Sequence, residues 1–316
     1  MRAIFYERFG GPEVLRFGYL PTPAAGPGEV LIRVRAAGVN PIDWKLCEGF
    51  AEGMFPYQFP IVPGWEAAGE IASLGADAVG FEIGDPVFTY CRRPVVQWGS
   101  YADFVPVAAQ GVAPKPERLT MVEAAAVPLT ALTAWQALAE HMRLQQGQTV
   151  LIHAGAGGVG SFAIPIAKHL GARVLTTASA ANADYVRALG ADMAIDYRCE
   201  DWAATVRQHY PDGIDAVLDS LGGAASLQSL ALIRRDGVIV CLNEPVEEDV
   251  AASHGVRCHR LFVTPDGASL RRIAGLIDTG ALPLPPVQVM PLAEAAQAFA
   301  LSKAGHVRGK LVLDLG

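Results

Sequence analysis

The sequence predicts a two-domain α/β protein, with a small irregular β-barrel in front, a doubly wound parallel sheet behind it, and a tail that returns to the barrel. Three features carry this prediction. Over residues 1–120, short runs of alternating apolar and polar residues are separated by Gly/Pro turns, the mark of short antiparallel strands. From Gln148 onward, buried strands alternate with helical segments, the order of a parallel sheet with helices on both faces. The length of 316 residues also exceeds what a single core usually serves.

In the front domain, residues 1–120, the stretch from Glu29 to Ala36 shows apolar/polar alternation. Ala25-Gly26-Pro27-Gly28, Pro63-Gly64 and Gly84-Asp85-Pro86 supply the turns. At Thr120-Met121-Val122-Glu123 a capping box opens a helix expected to run to about Arg143. The strands of the second domain, 121–283, are expected at 149–154, 173–178, 193–197, 214–220 and 237–242. Pro283-Leu284-Pro285-Pro286 ends the alternation. A strand (287–290), a helix (292–303) and a strand (310–314) follow, so that 284–316 completes the barrel domain.

Composition narrows the function classes. Hydrophobic residues at 51% and charged residues at 18% suit a packed enzyme. A net charge of −7 and a pI near 5.5 disfavour a nucleic-acid surface. No apolar run approaches a membrane span, and residues 1–6 read as a strand, not a leader. The five cysteines are scattered without a CxxC pair, which points to reduced thiols and a cytoplasmic setting.

The chemistry-bearing motif is Gly155-Ala156-Gly157-Gly158-Val159-Gly160, which follows the strand 149–154 and opens a helical, amphipathic segment to Leu170. Glycines 155, 157 and 160 fit G-x-G-x-x-G in the frame that the motif requires. The first glycine is expected to permit the turn, the second to admit a pyrophosphate, and the third to let helix and strand pack. The helix N-terminus attracts the anion. Pro165 is expected to bend this helix. An NAD site normally carries a carboxylate at the end of the next strand. Here Thr176–Asn182 has none before Asp184, and Ser179 offers a hydroxyl to a 2′-phosphate with Arg198 as its positive partner. NADPH is therefore the expected cofactor, in a Rossmann-type domain.

The whole chain resembles the medium-chain dehydrogenase/reductase superfamily in its zinc-free quinone oxidoreductase (zeta-crystallin-like) branch. The likeness rests on the stretches 36–45 (AAGVNPIDWK), 63–70 (PGWEAAGE) and 84–88 (GDPVF), the glycine loop, and the closing Gly309-Lys310-Leu311-Val312-Leu313. It implies a GroES-like front domain, a cofactor held in the cleft between domains, and a homodimer. It also implies that Asn40 and Thr133 lie near the nicotinamide, that Ser179 and Tyr197 contact the adenosine phosphate, and that Gly158, Val159 and Lys310 join the cofactor contacts. The lysine that usually follows the serine is missing. Where the zinc-dependent sister branch has a cysteine and a histidine ligand, this chain has Asn40 and Trp65. It has no histidine before His141, and only Cys91 between Gly84 and Phe104, so no metal is expected.

Without a metal, hydride transfer suits acceptors that spread the new charge by conjugation. The expected activity is NADPH-dependent reduction of a quinone or conjugated carbonyl. An alkenal/enone double-bond reductase and a non-catalytic, crystallin-like NADPH-binding protein are the alternatives. Asp43 and Lys45 share a face if their segment is extended, with Lys45 polarising a carbonyl or steering phosphate, or else the two form a surface ion pair. Tyr57 or Tyr90 either lines the acceptor pocket or fills the barrel core. His153 reads as a satisfied core histidine. The strand 237–242 and the apolar segment 256–263 are placed at the sheet edge, where a second copy would pair.

Overall fold

Strand-forming runs and glycine turns give the chain two compact units, Met1–Leu132 with Thr264–Gly280 and Pro286–Gly316, and Thr133–Val263 with Ala281–Pro285. The structure is a computed structural model and describes residues 1–50 and 52–316.

The first unit is built round the strand Glu29–Val39, whose 11 residues are mostly buried. It pairs antiparallel with Glu66–Leu74, Phe104–Ala108 and Lys310–Asp314. Pro86–Tyr90 and Val112–Pro114 extend one side, and Val287–Pro291 lies parallel to Lys310–Asp314 on the other. Register shifts between Leu31 and Ile32 and between Val34 and Ala36 coil this long strand, as bulges do in barrels. A two-stranded sheet, Arg2–Phe5 with Arg16–Tyr19, completes the β-structure.

The helix Gly267–Asp278 also belongs to this unit, although its place in the alternation put it in the second domain. Asp266 caps it by accepting from the amides of Ala268 and Ser269. It also packs so closely on Val112–Pro114 that a Cβ at Gly267 would collide with the Val112 carbonyl.

The second unit holds six parallel strands, ordered Met193–Asp196, Arg173–Ala178, Thr149–Ile152, Ile214–Asp219, Ile233–Cys241 and Arg257–Arg260. This is the 3-2-1-4-5-6 order of the Rossmann fold, which reverses at the glycine-loop strand. Arg257–Arg260 forms the edge. The strand expected beside it at the edge, Ile233–Cys241, is interior instead.

Three helices differ from expectation. The capping box at Thr120 forms, with Thr120 Oγ1 accepting from Glu123 N and Glu123 Oε2 accepting from Thr120 N. The helix that it opens stops at Ala125, and a new one begins at Pro128, because proline has no amide for the previous turn. Gly158–His169 is not amphipathic, since residues 160–167 are all buried, the pattern of a helix enclosed on every side. It runs unbroken through Pro165. Among the described residues no helix is long and apolar enough to cross a membrane.

Candidate functional site

In the second unit the candidate cofactor residues converge at the carboxyl edge of the sheet. Thr149–Ile152 leads into the glycine loop. On the next strand Ala178 is in register with Asp196 of the outer strand, so Ser179 and Tyr197 leave the sheet side by side. Arg198 follows, its guanidinium 5.8 Å from the Tyr197 ring centroid. Ser179 Oγ accepts from Asn182 Nδ2 at 3.3 Å, and Tyr197 is exposed. Thr133 lies elsewhere in the chain, nearly buried on the helix Pro128–Trp135. Asp184, the first carboxylate after Ser179, is engaged with Arg187.

The glycine loop keeps its three glycines for reasons partly different from those expected. The left-handed residue of the turn is Ala154, with φ 52°. Gly155 is required instead because a Cβ there would strike Thr176 Oγ1. At Gly160 a Cβ would lie 2.5 Å from the Ala154 carbonyl oxygen and 2.6 Å from Gly155 Cα, both unyielding backbone. Gly157 is the least constrained of the three, a Cβ there meeting only the Ala154 carbonyl oxygen at 3.3 Å, a tight contact that a small shift relieves. Gly158, Val159 and Gly160 form the first turn of the helix that Gly157 caps, where amides have no intrahelical acceptor. An open approach at Gly157 beside those donors fits a pyrophosphate.

His153 braces this loop. Its Nδ1 lies 3.2 Å from Thr177 Oγ1 and its Nε2 lies 3.0 Å from Ser229 Oγ. Ser229 Oγ donates to the Ala225 carbonyl, so it accepts from His153 Nε2–H. Thr177 Oγ1 accepts from Ala154 N and donates to Nδ1. Burial lowers the imidazole to about 4, and a neutral Nε2–H tautomer results. His153 is a satisfied core histidine.

In the first unit a buried polar cluster surrounds Asn40. The Asn40 amide nitrogen donates to Asp43 Oδ2 at 2.8 Å, and Asn40 Nδ2 donates to Glu66 Oε1 at 2.8 Å. Lys310 Nζ donates to Asn40 Oδ1 at 2.6 Å, to Glu66 Oε1 at 2.5 Å and to the Val39 carbonyl at 3.2 Å. Glu66 Oε2 accepts from Leu129 N, where the helix Pro128–Trp135 begins and favours an anion. Glu66 and Lys310 are 0% and 2% exposed. Room for the carboxylate exists because residue 38 is glycine, since a Cβ there would overlap Glu66 Oε1.

Several candidate roles change with this geometry. Lys310 has no donor left for a cofactor phosphate and is the partner of Asn40 and Glu66. Asp43 and Lys45 do not share a face, because Pro41–Lys45 is helical with proline in its first turn, and residues two apart on a helix diverge. Asp43 is buried and also accepts from the Tyr101 hydroxyl at 3.1 Å. Burial raises its carboxyl to about 7 against the amide of Asn40, with Glu66 adding to the rise. The Lys45 ammonium lies 5.7 Å from the Trp44 ring centroid, and its pKa is lowered by burial. Tyr57 is exposed, edge-on to Phe9 at 5.0 Å and Phe59 at 5.5 Å. Tyr90 is core, packed against Trp65. Among the described residues no three His, Cys, Asp or Glu side chains gather to hold a metal ion.

Comparison with known proteins agrees with this architecture. Residues 26–117 match the alcohol dehydrogenase GroES-like domain, and residues 189–313 match a family described as zinc-binding dehydrogenase. An NADPH-dependent alkenal/one oxidoreductase of Arabidopsis thaliana is 31% identical over 99% of this chain and 79% of its own length. The solved quinone oxidoreductase of Coxiella burnetii is 34% identical, with a TM-score of 0.91 over 100% of this chain and 99% of that one. Mycobacterial Rv1454c, solved with NADPH, is 32% identical with a TM-score of 0.88, each chain covered in full (100%). With its GroES-like domain, its Rossmann sheet and these relatives, the chain belongs to the medium-chain dehydrogenase/reductase superfamily, in the quinone oxidoreductase branch, and is an oxidoreductase using a nicotinamide cofactor.

Proposed function

We propose that the protein is a zinc-independent, NADPH-dependent reductase of quinones or similarly conjugated carbonyl compounds. The observation that carries this reading is the Asn40 carboxamide, set between Glu66 and Lys310 where the zinc-dependent branch has a metal ligand. The donor set there does not suit zinc. One expected ligand position is an amide already committed at both ends, and the other is the buried indole of Trp65. A fixed amide donor can stabilise charge that is spread over a conjugated acceptor, whereas a localised alkoxide calls for more.

NADPH, when bound, supplies the hydride. The glycine loop and the first turn of Gly158–His169 would hold the pyrophosphate. Ser179, Tyr197 and Arg198, with no free carboxylate between Ser179 and Asp184, would receive a 2′-phosphate. Asn40 would orient the reacting groups, and Thr133 and Tyr57 are proposed to lie near them.

The free edge of Arg257–Arg260 supports pairing with a second copy. A monomeric mass by light scattering at micromolar concentration would remove that part of the proposal. A cytoplasmic location rests on the scattered free thiols.

The test is NADPH oxidation at 340 nm with 1,4-quinones and α,β-unsaturated aldehydes, chelator present throughout. Turnover that survives chelation and prefers NADPH to NADH is expected, with a hydroquinone or a saturated carbonyl as product naming the acceptor class. Activity lost to chelator, or confined to simple alcohols with NAD, would overturn the reading. Tight NADPH binding without turnover would favour the crystallin-like alternative.

A further inference from the structure

We infer that Glu66 and Lys310 are positioning residues whose buried ion pair fixes the orientation of the Asn40 carboxamide. This inference rests on the reductase reading above and names the device behind it.

The two ends of a carboxamide have nearly the same shape, so packing alone does not choose between them. Charge does choose. Lys310 offers only donors and Glu66 only acceptors. Oδ1 must therefore face the ammonium and Nδ2 the carboxylate, and the structure has this arrangement at 2.6 and 2.8 Å. A flipped amide would set an oxygen against the carboxylate and a nitrogen against the ammonium. The main chain of Asn40 is held as well, its amide donating to Asp43 Oδ2 and its carbonyl accepting from Asp43 N. With one Nδ2 hydrogen given to Glu66 and Oδ1 facing Lys310, the second Nδ2 hydrogen is the donor that remains on the side chain.

Two further features point the same way. The pair is almost fully buried, a position in which an ion pair contributes little net stability compared with apolar side chains of the same size. Its partners are also arranged to hold it still. Leu129 N fixes the second oxygen of Glu66, the Val39 carbonyl takes the third donor of Lys310, and Gly38 leaves the space. A network satisfied at this many points makes one side chain rigid.

The test is a cycle of three variants with NADPH and a 1,4-quinone: Asn40→Ala, the charge-free pair Glu66→Gln/Lys310→Met, and all three changes together. The pair variant is expected to fold, because both charges leave at once, and to keep the NADPH dissociation constant within twofold of wild type. Its kcat should fall about tenfold or more, and adding Asn40→Ala should cause no further loss. A pair variant with wild-type kcat, or losses that multiply in the triple variant, would overturn the inference. If Glu66→Gln/Lys310→Met does not fold, Glu66→Met/Lys310→Met takes its place with the same expectations. A wild-type enzyme that reduces neither quinones nor enones defeats the reductase reading itself, a result distinct from the failure of this one.

Discussion

Each unit buries a polar cluster, but one cluster is ionic and the other neutral. Round Asn40 the chain encloses Asp43, Glu66 and Lys310. Round the glycine loop it encloses His153, Thr177 and Ser229, with the imidazole kept uncharged by burial. Charges select between the two ends of an amide, which neutral groups do less well. Neutral hydrogen bonds among His153, Thr177 and Ser229 fix the backbone of the turn, and the buried Asp219 carboxylate, whose charge reaches His153, is itself held by Ser226 Oγ and the amides of Leu221 and Gly222. The two clusters are therefore matched to what each must hold, an orientation in one case and a backbone turn in the other.

The comparison breaks most readily at Lys310. Lys310→Met alone leaves Glu66 charged in dry surroundings and is expected to cost about 3–5 kcal/mol of stability, a large part of a typical total. His153→Leu, which removes the acceptor of the Thr177 hydroxyl proton and the donor to Ser229 Oγ, should cost about 1–3 kcal/mol. Urea unfolding measures both. Equal losses would mean that the ionic character of the first cluster carries no special weight.

The two clusters also respond oppositely to pH. Asp43 keeps its proton to about 7 in the fold but releases it near its ordinary value when unfolded. Its contribution is therefore full below that ordinary value and is lost as pH rises through 7, about 4 kcal/mol in all. His153 is neutral in the fold down to about 4, while the unfolded chain takes up the proton near the ordinary histidine value. Its contribution is present above that value and is lost as pH falls to 4, about 3 kcal/mol. Between pH 4 and 6.5 the two slopes oppose each other. Asp43→Asn should leave a stability that climbs with pH across this window, and His153→Gln one that declines. Parallel curves for the two variants, measured by urea unfolding at several pH values, would refute the assignment of either group.

How far each cluster can be read from sequence follows the same division. The glycine loop is legible because its parts are consecutive, and the parallel order follows from the alternation around it. Even there Ala154, not a glycine, takes the left-handed turn, because the constraint at Gly155 comes from Thr176 on a neighbouring strand. The ionic cluster joins residues 244 apart, and no local pattern connects them. A signal did exist: Glu66 sits in an otherwise uncharged run from Pro63 to Gly69, and Lys310 opens the run Leu311-Val312-Leu313. Charges in such places need partners. The placing of Asp43 and Lys45 on one face overlooked Pro41 directly after Asn40, a helix-opening residue. Pro128 likewise marked the break in the helix that was expected to reach Arg143.

The smallest expected effect on stability lies within the loop, whose two kinds of glycine differ. Gly160→Ala forces a Cβ against the Ala154 carbonyl and Gly155 Cα, neither of which can turn aside, so about 1–3 kcal/mol should be lost in the free protein together with NADPH affinity. Gly157→Ala meets only the Ala154 carbonyl oxygen at 3.3 Å, and its unfolding free energy should stay within about 0.5 kcal/mol of wild type. The added methyl group nevertheless stands where a pyrophosphate would approach, so the NADPH dissociation constant should rise by about tenfold or more. Calorimetric titration with NADPH beside urea unfolding separates the two effects. If Gly157→Ala binds NADPH as wild type does, the open face of the loop is not where the phosphates lie, and the neutral cluster of the second unit braces a turn with some other purpose.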